Sequence, residues 1–349
     1  MKEDGGRHYF ITGGAGFIGC NLARALLAAG HRVSLFDNLS RPGAERNLAW
    51  LRKQGKPEFF RGDVRDMAEI RRALDAAGAV DTVIHLAGQV AVTASVADPI
   101  KDFEINALGA LHLLEALRNS NINPTLIYAS TNKVYGALEH VPTAACGKGR
   151  GFLDASAGIA EDCPLDFHSP YGCSKGAADQ YVRDYARIYG LPTIVFRMSC
   201  VYGPQQFGCE DQGWVAWFAI AAALDKPITI YGDGKQSRDL LFVGDLTEAV
   251  LAAGQHIDAT AGQVYNIGGG PDNLRSVLEL IETLESMLNK KIPVEFAPQR
   301  PGDQAVFVCD SAKAFRDFGW RPATGVEQGV RRLVDWVLEN KAILAQIHL

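Results

Sequence analysis

A tyrosine and a lysine stand four residues apart in the stretch Ser169–Lys175, where the sequence predicts the start of a helix. Ser169 is a suitable N-cap and Pro170 suits the first turn, so Tyr171 and Lys175 should lie one turn apart on one helix face. Free tyrosine has a pKa near ~10 and is a poor base at neutral pH. A nearby ammonium group favours the phenolate, so the spacing predicts a pair that takes the proton from an alcohol during its oxidation. The same spacing occurs by chance on surface helices, so a hydride acceptor must be sought elsewhere in the chain.

A glycine-rich turn near the N-terminus follows a short apolar strand at 8–12 and leads into a helix that stops at Gly30. Its glycines are Gly13, Gly14, Gly16 and Gly19. In a strand–turn–helix context such glycines let the backbone approach a pyrophosphate, which binds at the positive end of the helix. Asp37 ends the next strand and is placed for the ribose hydroxyls of adenosine. The pattern predicts a dinucleotide site and favours NAD, because a carboxylate repels the 2′-phosphate of NADP; Arg41 and Arg46 would weaken that preference.

Strand and helix patterns alternate along the first half of the chain. Strands are predicted at 32–36, 58–61, 82–86, 125–129 and 193–197, and helices at 44–54, 67–77 and 98–120. Nearly all-apolar strands alternating with helices predict an α/β fold, a doubly wound parallel sheet covered on both faces. Ligands of such sheets bind at the carboxyl ends of the strands. That edge would carry Gly13–Gly19, Asp37, Asp63, Ala87–Gly88 and Ser130–Thr131.

The second half of the chain has a different composition and a less regular pattern of elements. Residues 137–168 form a long connection that is either functional or a decoration. After residue 203 come aromatic and glycine-rich segments, with helices predicted at 213–224, 244–256, 274–289 and 325–340 and a strand at 264–267. The predicted division is a dinucleotide-binding domain at 1–203, with a return segment at 236–267, and a smaller substrate-binding domain at 204–349.

The composition excludes several classes of function. The chain has 349 residues, 47% of them hydrophobic and 21% charged, and a net charge of −5 argues against binding to nucleic acid or a membrane surface. Seven scattered cysteines without a Cys-x-x-Cys pair predict reduced thiols and no metal site. The charged stretch Met1–Arg7 runs straight into a strand, and no apolar run has membrane-spanning length. We therefore expect a cytoplasmic protein.

Five stretches in one order give the chain a family resemblance. They are Thr12–Gly19 (TGGAGFIG), His85–Gly88 (HLAG), Val134–Gly136 (VYG), the Tyr171–Lys175 pair, and Arg197–Pro204 (RMSCVYGP). Together they resemble the extended short-chain dehydrogenases/reductases, the NAD-dependent epimerases and dehydratases of nucleotide sugars, whose dinucleotide domain has a Rossmann-type fold. Within that family, the stretches at 86–91, 130–136, 171–181, 211–214 and 234–239 resemble epimerases that act at C2 of CDP-hexoses.

The resemblance implies a role for each matching residue. Tyr171 would be the catalytic base, Lys175 its partner, and Thr131 the group that hydrogen-bonds the reacting hydroxyl. The NAD site would comprise Gly13, Gly16, Phe17, Ile18, Gly19, Asp37, Asn38, Asp63, Val64, Leu86, Ala87 and Gly88, together with Tyr171 and Lys175. The nucleotide-sugar site would comprise Gln89, Thr131, Asn132, Lys133, Arg238, Arg300 and Asp303.

Two of these positions discriminate between reactions of the family. Sugar 4,6-dehydratases carry Asp-Glu directly after the threonine that matches Thr131, because elimination of water needs a further acid and base. This chain has Asn132 and Lys133 instead, which disfavours a dehydratase. The usual decarboxylases carry Glu at position 133 and are disfavoured as well.

The expected reaction is therefore epimerisation through a transient keto sugar, with Tyr171 handling the proton in both directions and NAD regenerated. C2 and a CDP-hexose follow from the resemblance alone. The alternatives are a UDP- or CDP-hexose 4-epimerase and, from another class, an NAD-binding sensor without chemistry. In relatives, the helices that match 98–120 and 170–189 pair between subunits, which implies a homodimer or homotetramer.

Overall fold

The computed structural model describes residues 6–154, 158–300 and 303–347. Most of the charged stretch Met1–Arg7 and three residues of the 137–168 connection therefore lie outside the described residues. The strands are β1 His8–Thr12, β2 Arg32–Asp37, β3 Glu58–Arg61, β4 Thr82–His85, β5 Thr125–Thr131, β6 Thr143–Cys146, β7 Gly149–Phe152, β8 Thr193–Met198, β9 Cys200–Tyr202, β10 Ile228–Tyr231, β11 Ser237–Phe242, β12 Gln263–Ile267, β13 Leu274–Ser276, β14 Val294–Ala297 and β15 Val306–Phe307.

The helices follow the same chain order. They are α1 Phe17–Ala28, α2 Ala44–Gln54, α3 Met67–Ala77, α4 Val92–Ala97, α5 Pro99–Phe103, α6 Gly109–Arg118, α7 Ser169–Tyr189, α8 Trp214–Ala223, α9 Val243–Gln255, α10 Ile257–Thr260, α11 Val277–Leu288, α12 Ala312–Phe318, α13 Val326–Glu339 and α14 Lys341–Ile347. A π turn at Glu104–Leu108 joins α5 to α6, so the predicted helix at 98–120 is present with one irregular turn.

Seven parallel strands form the central sheet in the order β3-β2-β1-β4-β5-β8-β12. The order reverses between β1 and β4: Thr12 pairs with Phe36 of β2 on one side and with His85 of β4 on the other. In a doubly wound sheet this reversal opens a crevice at the carboxyl ends of the strands, where ligands bind. The predicted α/β doubly wound fold is confirmed.

Helices cover both faces of the sheet because the strands are apolar on both sides. Tyr9 and Ile11 of β1 face a core that includes Leu22 of α1, whereas Phe10 faces the opposite core with Ile70 of α3. This alternation is the period-two geometry of a strand. A third core lies in the C-terminal half, where α8, α11 and α13 pack together. Helix α8 is apolar all round, as expected of a helix buried on every side.

Several small elements are absent from the sequence predictions. The 137–168 connection contains the antiparallel hairpin β6–β7, whose Phe152 packs in a cluster with Val306 and Phe307 of β15. Strand β11 pairs with β9, β13 and β15 in a second, mixed sheet. These strands carry little periodicity of their own, and β11 depends on partners that lie far away in the chain.

Helix α7 carries the tyrosine–lysine pair and runs for 21 residues. Ser169 has φ of 63°, and its Oγ accepts the N–H of Gly172 at 3.3 Å, so it satisfies a free donor of the first turn. Gly190 ends the helix in the left-handed region, with φ of 68°.

Candidate active site

The glycine turn after β1 is shaped so that side chains do not fit in it. Gly13 has φ of 69°, and a Cβ there would lie 2.7 Å from the backbone nitrogen of Ala87. A Cβ on Gly19 would lie 2.4 Å from the carbonyl oxygen of Gly13. The N-terminus of α1 has no side-chain cap and no acidic residue in its first turn, so its N–H groups stay available to an anion. The turn therefore fits the pyrophosphate of a dinucleotide.

Asp37 lies at the carboxyl end of β2 beside this turn. Its carboxylate accepts the N–H of Ala15 at 3.0 Å and that of Leu39 at 2.8 Å. Burial raises the pKa of Asp37, and these backbone hydrogen bonds oppose that rise. A carboxylate oxygen has further acceptor capacity, so Asp37 can still receive the hydroxyls of a ribose.

Asn38 and Asp63 follow the neighbouring strands β2 and β3 and are joined to each other: Asn38 Nδ2 donates to Asp63 Oδ2 at 2.9 Å. Hydrogen bonds from Arg65 lower the pKa of Asp63 to about 2, so this carboxylate is ionised at neutral pH. The arginines that would have favoured NADP point to other partners. Arg41 donates to Gln212 Oε1 at 2.6 Å, and Arg46 donates to Gln346 Oε1 at 3.3 Å.

The remaining predicted cofactor residues lie on the same edge of the sheet. Phe17 and Ile18 pack against the apolar cores, and Val64 is buried against Gly109. Leu86, Ala87 and Gly88 follow β4 directly and are half-buried. A Cβ on Gly88 would lie 4.0 Å from Lys175 Nζ, so this connection borders the tyrosine–lysine pair.

Thr131, Tyr171 and Lys175 are all buried, with 6%, 8% and 6% of their surfaces exposed. Thr131 is the last residue of β5; its Oγ1 donates to Asn132 Oδ1 at 3.3 Å, and its side chain lies near enough to Tyr171 to lower the pKa of that phenol. Lys175 Nζ donates to the carbonyl oxygen of Ala129 at 2.5 Å and lies 4.3 Å from the ring centre of Tyr128. The structure thus brings the three predicted catalytic residues to the carboxyl end of β5.

The electrostatics of the pair differ from the sequence expectation. Burial raises the pKa of Tyr171 to about 12, and the group that opposes this rise is Thr131, not Lys175. Burial also lowers the pKa of Lys175 to about 7, although the charges of Asp179 and Asp102 hold it up. Each group is surrounded by low-dielectric protein that disfavours its charged form. The expected lowering of the tyrosine pKa by Lys175 is therefore not present in this structure.

A cavity of about 560 Å³ opens beside Tyr171. Besides Tyr171, six of the predicted substrate residues line it, namely Thr131, Asn132, Lys133, Arg238, Arg300 and Asp303. Its apolar walls include Val90, Val92, Trp214, Trp217 and Phe218. A mostly apolar cavity with a few convergent polar groups is the usual form of a small-molecule site. A larger hollow of about 760 Å³, between the β6–β7 hairpin and α11, contains none of the predicted site residues.

One end of the cavity is cationic. Lys133 Nζ and Arg238 Nη2 lie 3.7 Å and 3.9 Å from the same Asp303 oxygen. Burial and the charge of Arg238 lower the pKa of Lys133 to about 8, against the opposing effect of Asp303. Two cations thus lie beside the same carboxylate in this cavity.

Arg300 lies at the rim of the same cavity. Its guanidinium donates to the carbonyl oxygen of Glu210 at 3.3 Å, is 3.2 Å from an Asp211 oxygen, and stacks 3.7 Å from the ring centre of Tyr231. The stacking and the two polar contacts hold its planar fork in one orientation.

Gln89 is the one predicted substrate residue that the structure does not bring to the cavity. Its side-chain amide donates to Asp102 Oδ1 and to the carbonyl oxygen of Ala91, each at 2.8 Å. Its Oε1 accepts the N–H of Ala91 at 2.5 Å. These bonds turn the side chain toward the protein interior, so the expected contact with substrate is corrected to a structural one.

Sequence reasoning missed Gln304, which is fully buried beneath the cavity floor. Its Oε1 accepts from Asn132 Nδ2 at 3.2 Å, its Nε2 donates to the carbonyl oxygen of Gly136 at 2.6 Å, and its own carbonyl accepts from Arg238 at 2.7 Å. Gln304 therefore positions two cavity residues from a distant segment. Nothing in the local sequence indicates this, apart from its place next to Asp303.

Within the described ranges, no helix is long and apolar enough to cross a membrane. No group of three or more His, Cys, Asp or Glu side chains in the same ranges is arranged to hold a metal ion.

Comparison with known proteins identifies the family. The family model described as "NAD dependent epimerase/dehydratase family" matches residues 9–268. A relative named CDP-paratose 2-epimerase, from Salmonella typhi, is 46% identical over 331 residues, which cover 93% of this chain and 98% of the relative.

Two solved structures of similar fold carry ligands. The NAD complex of UDP-glucose 4-epimerase from Thermus thermophilus has a TM-score of 0.79 and 33% identity, and the match covers 95% of this chain and 98% of that one. UDP-glucuronic acid 4-epimerase from Bacillus cereus, in complex with UDP-glucuronic acid and NAD, has a TM-score of 0.82 and 27% identity, with 95% and 99% covered.

The chain belongs to the NAD-dependent epimerase/dehydratase family. The predictions of this family, of an enzyme and of NAD as its cofactor are confirmed. The prediction of nucleotide-sugar epimerase chemistry is supported at the level of the family and of these relatives.

Proposed function

We propose that the protein epimerises a CDP-hexose at C2, with CDP-paratose and CDP-tyvelose as the pair of sugar nucleotides. The observation that carries this proposal is the 46% identity to a CDP-paratose 2-epimerase over nearly the full length of both chains. The cavity beside Tyr171 supports it, because hydrogen-bonding, cationic and apolar residues line one space of about 560 Å³.

Tyr171 is the proposed base and acid of the reaction. Its phenolate oxygen takes the proton of the sugar hydroxyl, and Thr131, whose side chain lies beside Tyr171, steadies the same hydroxyl. NAD, when bound, supplies the acceptor and later the donor of the hydride. Once the keto sugar has turned in the cavity, so that the hydride would return to the opposite face of the carbon, Tyr171 gives the proton back to the oxygen on that carbon. Lys175 lies beside the β4 connection that borders the cofactor, where it would bind the nicotinamide ribose.

Lys133, Arg238 and Arg300 are the proposed ligands of the diphosphate, with Asp303 as the carboxylate that orders two of them. An arginine fork meets phosphate oxygens two at a time. The glycine turn with Phe17 and Ile18, the ribose residues Asp37 and Asn38, the adenine-side residues Asp63 and Val64, and the 86–88 connection are the proposed NAD site.

The absence of carboxylates after Thr131 supports an epimerase over a dehydratase. Asn132 donates its amide to Gln304, and Lys133 faces Asp303 and Arg238, so neither can act as the carboxylic acid that elimination of water needs. What Tyr171 and Thr131 can still support is the transfer of a single proton, the one on the sugar hydroxyl that is oxidised.

Deuterated sugar nucleotides test which carbon of the sugar is inverted. The purified protein is incubated with CDP- and UDP-sugars deuterated at C2 or C4, and the products are identified by NMR. We expect inversion at C2 of a CDP-hexose. Inversion at C4 would instead establish the alternative, a 4-epimerase. The two solved structures of similar fold are both named as 4-epimerases.

Tyr171→Phe tests the chemistry. This variant keeps the ring in its buried position and removes only the hydroxyl, so it should stay folded and lose most of its turnover. Turnover at the wild-type rate would exclude Tyr171 as the base. A wild-type protein that contains NAD and turns over no sugar nucleotide would establish the sensor alternative.

The subunit and domain organisation are further parts of the proposal. Helices α5 and α7 expose Ile100, Phe103, Tyr181 and Ile188, with 71%, 53%, 48% and 65% of their surfaces accessible, which supports pairing of these helices in a homodimer or homotetramer. Light scattering of wild type and of Ile100→Glu should show an oligomer that the substitution dissociates; a monomeric wild type would refute the pairing. The proposed division joins 236–267 to the dinucleotide-binding domain at 1–203, because β12 completes the parallel sheet. It assigns 204–349 to the substrate-binding domain, because nearly all residues of the third core come from this range.

A further inference from the structure

Asp102 of α5 is a fully buried carboxylate beside the catalytic turn of α7. Three side chains donate to it: Ser174 Oγ at 2.5 Å, Gln89 Nε2 at 2.8 Å and Asn106 Nδ2 at 3.1 Å. A buried carboxylate without such donors would be strongly unfavourable. The three hydrogen bonds therefore stabilise the buried carboxylate, and the carboxylate fixes the orientation of the three donor side chains.

The donors come from three separate segments of the chain. Gln89 lies on the connection after β4 that borders the proposed cofactor site, and Asn106 lies in the π turn that follows α5. Ser174 sits between Tyr171 and Lys175 on α7 and also hydrogen-bonds the carbonyl oxygen of Tyr171 at 3.2 Å. One carboxylate thus connects the cofactor edge of the sheet to the turn that carries both proposed catalytic side chains.

The N-terminal turn of α7 is held from a second side as well. Ser95 Oγ of α4 accepts the backbone N–H of Tyr171 at 3.1 Å, and Asn106 Nδ2 donates to Ser174 Oγ at 3.1 Å. Helices α4 and α5 therefore supply polar contacts to the first turn of α7, where a helix would otherwise leave donors unsatisfied.

We propose that Asp102 is a positioning residue for the reaction, which orients Tyr171 and Lys175 through Ser174 and places a fixed negative charge beside them. This inference rests on the proposed role of Tyr171 as the base. It adds to that role a group that touches neither substrate nor cofactor.

The charged and titratable groups around the pair are few. Asp102 and Tyr128 face Tyr171. Lys175 is faced by Asp102 and Asp179, by the Tyr128 ring and by the buried His85. The charge of Asp102 adds to the rise that burial causes in the pKa of Tyr171, and together with Asp179 it opposes the fall that burial causes in the pKa of Lys175.

Two substitutions at this position separate charge from geometry. In Asp102→Asn, the amide oxygen can accept from Gln89 and Asn106 while the amide nitrogen donates to Ser174, so the connections persist without the charge. In Asp102→Ala, the connections are lost together with the charge. Ser174→Ala removes only the link to α7.

The experiment measures kcat, KM and the pH at which tyrosinate absorbance appears, with Tyr171→Phe as the spectroscopic reference. We expect Asp102→Ala to lower kcat about 100-fold with unchanged KM, as a displacement of a catalytic group by about 1 Å would do. Asp102→Asn should keep a kcat close to wild type, while its Tyr171 tyrosinate forms at lower pH. Ser174→Ala should lower kcat without a change in KM.

Asp245 provides the matched control. It is another buried aspartate, and its carboxylate accepts from the backbone of Ala323 and Thr324 in the C-terminal half. Asp245→Asn should lower the melting temperature and leave kcat of the folded protein and the tyrosinate titration as in wild type.

Two results would overturn the inference. One is a wild-type kcat for folded Asp102→Ala or, if that variant does not fold, for Ser174→Ala. The other is a tyrosinate titration that is identical in wild type and Asp102→Asn. Failure of the proposed function is a separate outcome, since it would appear as wild-type turnover in Tyr171→Phe, while the absorbance titration still reports on Asp102.

Discussion

The charge of Lys133 should control substrate affinity in a pH range that is easy to measure. Burial and the neighbouring Arg238 lower the pKa of this lysine to about 8, against the opposing effect of Asp303. The ammonium form attracts the diphosphate of the proposed substrate, and the neutral amine does not. Affinity should therefore be high below the pKa and fall as the pH rises through it.

The size of the effect follows from the titration. A group with a pKa of about 8 is about one-tenth protonated at about pH 9. The apparent KM should thus rise about tenfold between about pH 7 and about pH 9, if the neutral amine contributes nothing. At about pH 7, Lys133→Met should raise KM by about 10- to 100-fold, since a hydrogen bond to a charged group contributes about 1.5–3 kcal/mol.

The assay is steady-state epimerisation of the CDP-hexose over this pH range, for wild type, Lys133→Met and the control Lys291→Met. Lys291 is almost fully exposed, pairs with Glu285 on the surface and does not line the cavity, so its variant should follow the wild-type curve. Lys133→Met should show a raised KM without the rise at high pH. The reasoning is refuted if the wild-type KM is constant across the range, or if Lys133→Met shows the same rise as wild type.

Two further predictions concern the cofactor turn and the core. Gly13→Ala should abolish retention of NAD, measured by the nucleotide released on denaturation, because its Cβ would collide with the backbone of Ala87 at 2.7 Å; full retention would contradict the proposed pyrophosphate site. Arg197→Met should lower the free energy of unfolding by about 3–5 kcal/mol, since it leaves the fully buried Asp179 without the cation 2.9 Å away. Denaturant unfolding should show a smaller loss when Asp179→Asn is added, and additive losses would refute the coupling.

Features encoded in short, contiguous segments could be predicted from the sequence. The helices at 44–54 and 67–77 and the strand at 58–61 have the predicted bounds, because their period and end signals lie within the segment. The parallel, doubly wound character of the sheet could be predicted as well, since nearly all-apolar strands alternate with helices. The glycine turn could be recognised because its backbone leaves no room for a Cβ at Gly13 and Gly19, so the requirement is visible in the sequence as glycine.

Features that depend on distant partners could not be predicted. The orientation of Gln89 is decided by Asp102, and Asn132 meets Gln304 across 172 positions of sequence. The pKa values of Tyr171 and Lys175 were misjudged for a related reason. Spacing along a helix indicates that two groups are close, but burial, which is a property of the whole fold, dominates their ionisation.

The distribution of polar groups in the cavity bears on how an epimerase could hold its intermediate. The cations Lys133, Arg238 and Arg300 are the proposed ligands of the diphosphate, whereas much of the remaining wall consists of valine and tryptophan side chains. A keto sugar must turn over between the two halves of an epimerisation, and hydrogen bonds to every hydroxyl would prevent that. Strong charge-assisted contacts at the diphosphate and weak apolar contacts at the sugar permit rotation without release. On this view, an added hydrogen-bond donor in the apolar wall would slow epimerisation more than it would weaken binding.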